Sequence, residues 1–251
     1  MQIDDFLELA RNRRSIRKFK PDPVPDEYVE KMLEAARWSM SGANGQPWEF
    51  IVVKNRETIQ ELAEIYRRTI SSLTWEMELT RLEEYRQPRF RVKGSPEEVK
   101  EAIKGRLAEW ADAPLLIVLL GDRRTAQAST LAGRFFDSHV FDKNVANAAH
   151  MICLAAAAQG LGAQWSSVWE TYDEEFKPIL GIPPVHTVAV LIPIGFPAIS
   201  PTPYRRELSE MVHYEKYDMS KYRSNSDIRE FIKYQRQRHM DGGTYTIETP
   251  K

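Results

Sequence analysis

From Ala113 to Asp122 the chain reads APLLIVLLGD, an eight-residue apolar run closed by Gly-Asp. A run with no polar residue on either alternating face is the signature of an interior strand. The rest of the chain must supply the layers that hide it. DDFLELARNRR, from Asp4, places Phe6, Leu7 and Ala10 on one helical face, with acids at its positive N-terminal end and Arg at its negative C-terminal end. PDPVPDEYVEKMLEAARWS is a Pro-punctuated turn and then a helix, with Val29, Met32, Leu33 and Ala36 at amphipathic spacing. RETIQELAEIYRR is a further helix. DKNVANAAHMICLAAAAQ, Asp142 to Gln159, is apolar nearly all round, as expected of a helix buried on most faces, a partner subunit among them.

WEFIVV reads as a buried strand. GAQWSSVW and HTVAVLIPIGFP are two more, separated by a short helix ending near ILGIPP. Residues 71–108 are charged, with scattered aromatics and a break at KGSPEE, and read as a partly helical insertion more than as a core element. Beyond Pro203 a polar, helix-like tail runs to about Met240. Helices and strands interleave without regular βαβ alternation, repeat or break in composition, which predicts a single α+β layer structure.

With 251 residues, 42% hydrophobic and 28% charged, the chain can bury a substantial core. It has no apolar run of about 18 residues, and acids stand at the N-terminus where a signal peptide needs cations, so the cytoplasm is the expected location and no membrane is expected as a partner. A single cysteine, Cys153, excludes an intramolecular disulfide framework and Cys-rich metal sites; it falls in the apolar helix, where a thiol is buried and inert. The five His, 139, 150, 186, 213 and 239, have no ligand spacing, so no metal is expected. A formal net charge of −1 argues against a nucleic-acid binder.

Against that balance RNRRSIRKFK, residues 11–20, gathers six cations in ten positions around Ser15. It is either a solvated helix end or an anion site in which guanidinium forks and a hydroxyl supply donors to a dianion. SGANGQPW (41–48) is either a turn that satisfies its own backbone or one whose Asn44 and Gln46 amides read a polar heterocycle edge. AQGLGAQW (158–165) is no dinucleotide fingerprint, since it lacks the third Gly and follows a helix. The last stretch is IGFP followed by YRREL, 194–208.

Taken together and in this order, R-R-S-x-R, S-x-x-N-x-Q-P-W before a strand, an Ala-rich helix ending in G-L-G, and a late G-F-P with a basic pair before Leu, the chain resembles the FMN-dependent nitroreductase family over roughly residues 3–213. The resemblance implies a three-layer α+β fold, with a central, mostly antiparallel mixed sheet flanked by helices, in an intertwined homodimer with FMN at the interface. It implies one domain over 1–213, with a lid insertion at 71–108, and a C-terminal extension over 214–251 that wraps the partner. By resemblance Arg13, Arg14 and Ser15 hold the FMN phosphate with Arg205, or with Arg206 if the register shifts by one. Arg17 lies near flavin N1 and O2, where charge appears on reduction. Ser41, Asn44 and Gln46 come from the other subunit, and Trp165, Ser166, Ser167 and Val168 lie along the flavin, where a backbone N–H meets N5. NADH or NADPH is the implied electron donor, and a nitroaromatic, quinone or similar small aromatic molecule the acceptor, reduced by a ping-pong mechanism. No dedicated acid or nucleophile is then needed, because the flavin carries the chemistry.

The alternative chemistry on the same fold is reductive dehalogenation, as in iodotyrosine deiodinase, where a helical lid reads the substrate. Trp75, Glu78, Tyr85 and Phe90 are the candidates for such a lid here, and Phe135, Phe136 and His139 in GRFFDSHVF for a second cover.

Overall fold

The computed structural model describes residues 2–82, 85–86, 91, 94–125, 138–201, 205–236, 239–241 and 244–246. Helix α1 (Ile3–Asn12) leads to α2 (Asp26–Arg37), strand β1 (Trp48–Val53), α3 (Arg56–Thr80) and α4 (Pro96–Leu107). After β2 (Leu115–Asp122) come α5 (Ser138–Ala158), the short strands β3 (Gly162–Ala163) and β4 (Ser166–Ser167), α6 (Lys177–Leu180), β5 (His186–Gly195), α7 (Asn225–Arg236) and a hairpin of β6 (His239–Asp241) and β7 (Thr244–Thr246).

The apolar run is β2, and it is the middle of the molecule. Strands pair antiparallel in the order β1-β2-β5-β3, with β4 also on β5. A parallel bridge between Ser15 and Ala163 makes the pairing mixed. Because side chains alternate across a strand, Leu115, Ile117 and Leu119 enter one core, with α2 and α5, and Leu116, Val118 and Leu120 the other, with α3, α4 and Trp110. A sheet covered on both faces needs continuous apolar strands, which is why β2 shows no polar alternation. The three-layer α+β expectation holds.

Residues 96–107 are helical, as the reading of 71–108 has it, but pack as a core element. Ser95 and Glu98 form a capping box, and α4 then buries Val99, Ile103 and Leu107, one per turn, in the second core. The stretch from 71 to 80 continues α3. GAQWSSVW is two short strands instead of one. The glycines of AQGLG have separate structural uses. Gly160, at φ 74°, ends α5 in a Schellman turn, its N–H on the Ala157 carbonyl and that of Leu161 on Ala156. Gly162 lets the chain at Ile16 come close. In α1 no residue is buried, and Phe6 and Leu7 are each 39% exposed, so its apolar face lies open on the protomer.

Candidate active site

At the end of α1 the chain turns extended at Arg13. Ser15 bridges Ala163, and the Ile16 N–H donates to the Ala163 carbonyl at 3.0 Å, so residues 15–20 run beside β3 and the end of β5. Arg14 donates from Nε to the Pro201 carbonyl (3.3 Å) and from Nη1 to the Arg13 carbonyl (2.8 Å), and it also meets the Arg11 carbonyl. Burial, then the charge of Arg205, then that of Arg13, push the Arg14 guanidinium below its ordinary range. Three cations therefore converge from two stretches of chain about 190 positions apart. Arg13 and Arg14 form no ion pair among the described residues. An anion at this place would relieve that repulsion, since guanidinium forks bind carboxylate and phosphate strongly. Arg206 points elsewhere: Nε donates to Glu210 Oε2 at 3.1 Å, and the guanidinium lies 6.0 Å from the Phe231 ring centroid.

The charge of Arg13 also reaches α5. Partial burial, then Arg13, hold the His150 imidazole below its ordinary value, which keeps it neutral at pH 7. Cys153 is 5% exposed, and burial pushes its thiol up to about 11 despite Arg13. Native protein is therefore expected to resist iodoacetamide at pH 8 and to react once unfolded in guanidinium, as followed by mass spectrometry. Alkylation of the folded protein at the rate of a free thiol would show that α5 opens.

Arg17 is half-buried, and its Nε is buried with no hydrogen-bond partner; Gln164 Oε1, between β3 and β4, is in the same condition. Unsatisfied buried donors are rare in folded chains.

The turn at 41–46 sits apart from this cluster. Ala43, Asn44 and Gln46 have φ of 52°, 53° and 43°, a left-handed region that costs a non-glycine residue on the order of 1–3 kcal/mol when imposed by the surroundings. The Gln46 N–H donates to Ser41 Oγ at 3.0 Å, and Gln46 Nε2 to the Asn44 carbonyl at 3.3 Å. The Asn44 and Gln46 side chains face solvent, and the neighbouring Trp38 and Met40 are 73% and 80% exposed.

The third predicted segment lines a cleft of about 380 Å³. Trp165, Ser167, Val168 and Trp169 form one wall, Phe141, Asp142 and Val145 of α5 another, and Arg123, Thr187 and Ala189 the base. The wall is shaped by a β-bulge. Leu119 pairs with Val190 and Leu120 with Val188, leaving Ala189 as the extra residue, and its carbonyl accepts the Val168 N–H at 3.1 Å. With Gln164 and Val168 both donating to β5, strand alternation turns the Ser167 N–H away from it. Trp165 Nε1 donates to Ser167 Oγ at 2.8 Å. Ser166 is buried and accepts from Gln164 Nε2, so its hydroxyl supports the wall instead of lining it. Sequence reasoning missed Arg123, which donates to Thr187 Oγ1 at 3.1 Å and stands 5.2 Å over the Phe141 ring. Its signal was position: it follows the interior strand directly.

Of the lid candidates, Glu78 is 3% exposed and paired with Arg81 at 2.7 Å, which fits packing better than substrate reading. Tyr85 lies 5.7 Å beneath the Lys233 ammonium of α7. Phe90, Phe135 and Phe136 lie outside the described residues, as do the side chains of Trp75 and His139. No described helix is long and apolar enough to cross a membrane.

The chain is an α+β protein of three layers around a largely antiparallel sheet, with an Arg cluster where the chain leaves α1 beside β3 and a bulged cleft beside the long helix α5. The profile of the Nitroreductase family matches residues 10–196, and the chain belongs to that family of flavin oxidoreductases. It is 27% identical, over 85% of its length and 88% of the relative's, to a Methanothermobacter thermautotrophicus protein provisionally named NADH dehydrogenase/NAD(P)H nitroreductase. To iodotyrosine deiodinase 1 of Rattus norvegicus it is 26% identical, over 79% of its own length and 64% of that protein's. The structure of an FMN-dependent nitroreductase from Clostridium difficile superposes with a TM-score of 0.58 at 23% identity, covering 84% of this chain and 99% of that one.

Proposed function

We propose that the protein is an FMN-dependent oxidoreductase that takes hydride from NADH or NADPH and reduces a nitroaromatic, quinone or similar acceptor. The convergence of Arg13, Arg14 and Arg205, with neither Arg13 nor Arg14 in an ion pair among the described residues, carries this reading, because it fits a phosphate dianion. The buried, unpartnered Nε of Arg17 fits a second acceptor group close by.

Arg13, Arg14 and Arg205 would hold the FMN phosphate, with the Ser15 hydroxyl as a neutral donor. Arg17 would place a fixed cation at the pyrimidine edge, which lowers the energy of the reduced form without reorganisation. By strand alternation the Ser167 N–H, like that of Trp165, is a donor of the 165–168 segment turned away from β5. When bound, FMN supplies a redox centre that accepts hydride from the nicotinamide and returns it to a second substrate, so donor and acceptor use one place in turn. The chain's own contributions are positioning, charge and exclusion of water by Trp165 and Trp169.

A homodimer belongs to the same reading. Ser41, Asn44 and Gln46 would reach the cofactor of a second copy, and the exposed apolar groups Ile3, Phe6, Leu7, Trp38, Met40 and Leu208, with Tyr214 and Met219 of the extension, are the surface such a copy would cover. Similarity to iodotyrosine deiodinase favours reductive dehalogenation as the second reading.

Visible absorbance of the purified protein with added FMN, recorded anaerobically before and after NADH and then NADPH, is the test. Bleaching of bound flavin by either nucleotide, followed by reoxidation with a nitroaromatic and no halide release from halophenols, is the expected result. Halide release with no nitroaromatic turnover would transfer the assignment to the second reading, and protein that takes up no FMN would end both.

A further inference from the structure

We propose that Asn144 and Asn147 of α5 are positioning residues that clamp the 41–46 turn in its cofactor-facing shape, an inference that rests on the reading of this turn as part of the FMN site.

The turn holds three non-glycine residues in a left-handed conformation, which persists only where the surroundings over-determine it. Inside the turn, Ser41 Oγ fixes the Gln46 N–H. The Asn44 N–H donates to the Ser41 carbonyl and the Gly45 N–H to the Gly42 carbonyl, and further constraints come from α5. Asn144 Oδ1 accepts the Gly42 N–H at 3.1 Å, and Asn147 Nδ2 donates to the Met40 carbonyl at 3.0 Å. One helical turn separates the two amides, and they grip the backbone on either side of Ser41. Their roles are opposite and fixed by chemistry, since a backbone N–H can only donate and a carbonyl can only accept. Val140 lies against the turn as well: a Cβ on Gly42 would stand 3.4 Å from Val140 Cγ1, about van der Waals contact.

At 100° per residue, positions 140, 144 and 147 share one face of α5, and 141, 142 and 145 share another. The second face is the cleft wall. One rigid helix thus fixes both the cleft of its own protomer and the turn offered to the cofactor, so a disturbance of the amide face is expected to reach cofactor binding without any change in the residues that touch it.

The opposite polarity gives the test. FMN dissociation constants and hydrogen exchange of the 40–47 segment are measured by flavin fluorescence and mass spectrometry for the full-length protein and for Asn144→Asp, Asn144→Ala and Asn147→Asp. Asn144→Asp keeps the acceptor and is expected to stay within about threefold of wild type in both readouts. Asn144→Ala removes it, and Asn147→Asp removes the donor and sets a carboxylate against the Met40 carbonyl; each is expected to weaken FMN binding about tenfold and to speed exchange in the turn. Equal behaviour of the two Asp variants, or faster exchange with unchanged FMN affinity, overturns the clamp. Wild-type protein that takes up no FMN removes the cofactor reading beneath it, a result distinct from wild-type uptake with unaltered variants, which removes the clamp alone.

Discussion

Alanine at both Arg13 and Arg14 is expected to weaken FMN binding by about 10²- to 10⁴-fold while riboflavin binding changes by no more than about threefold. A hydrogen bond to a charged group contributes about 1.5–3 kcal/mol, so losing two corresponds to this range. Arg13 and Arg14 belong to one cluster of like charges, so their losses are expected to be non-additive. Riboflavin is the discriminating ligand, since it keeps the ring and ribityl chain and lacks the phosphate. The loss should also shrink as salt rises, because the sites are only partly buried and a Debye length near 10 Å at 0.1 M screens them. Arg205→Ala is expected to lower FMN affinity at least tenfold more than Arg206→Ala, whose guanidinium is held by Glu210. Equal losses for FMN and riboflavin would mean that the cluster supports the fold and does not read a phosphate.

The parts of this structure that the sequence made legible are those where one residue type dominates a whole segment. Leu115 to Leu120 could only be an interior strand, and 142–159 only a buried helix. The cation run at 11–20 stood out because the rest of the chain balances its charges. The core packing of α4 escaped because its buried stripe is a single residue per turn, Val99, Ile103 and Leu107, among charged neighbours. Its capping box, Ser95 to Glu98, was read as a break, although the same residues start a helix when an apolar stripe follows. The bulge at Ala189 leaves no mark in HTVAVLIPIG, since register is a property of two strands and one sequence shows only one. For the same reason adjacent Arg205 and Arg206 could not be told apart. Arg123 and Asp142 reach the cleft from separate elements, and only the sheet brings them together.

Gly162→Ala is expected to destabilise the protein by about 3 kcal/mol, a shift of roughly 6–12 °C in Tm for a domain of this size, and to weaken FMN binding in the fraction that stays folded. A Cβ at 162 would stand 2.5 Å from Ile16 Cγ1, 2.6 Å from its Cβ and 2.8 Å from its Cγ2. Ile16 cannot swing aside, being 5% exposed and tied by its N–H to the Ala163 carbonyl. The segment carrying Ser15 and Arg17 would have to move off β3, so a change that touches no ligand group displaces two that are proposed to bind one. The cause can be separated from ordinary overpacking by a second substitution. Ile16→Ala in the same chain removes Cγ1 and Cγ2 but leaves the contact at Cβ, so the double variant is expected to remain as unstable as Gly162→Ala and as weak toward FMN. Recovery of Tm and FMN affinity in the double variant would locate the conflict in the outer atoms of Ile16. The close approach of the two backbones would then not be what sets Ser15 and Arg17 in place.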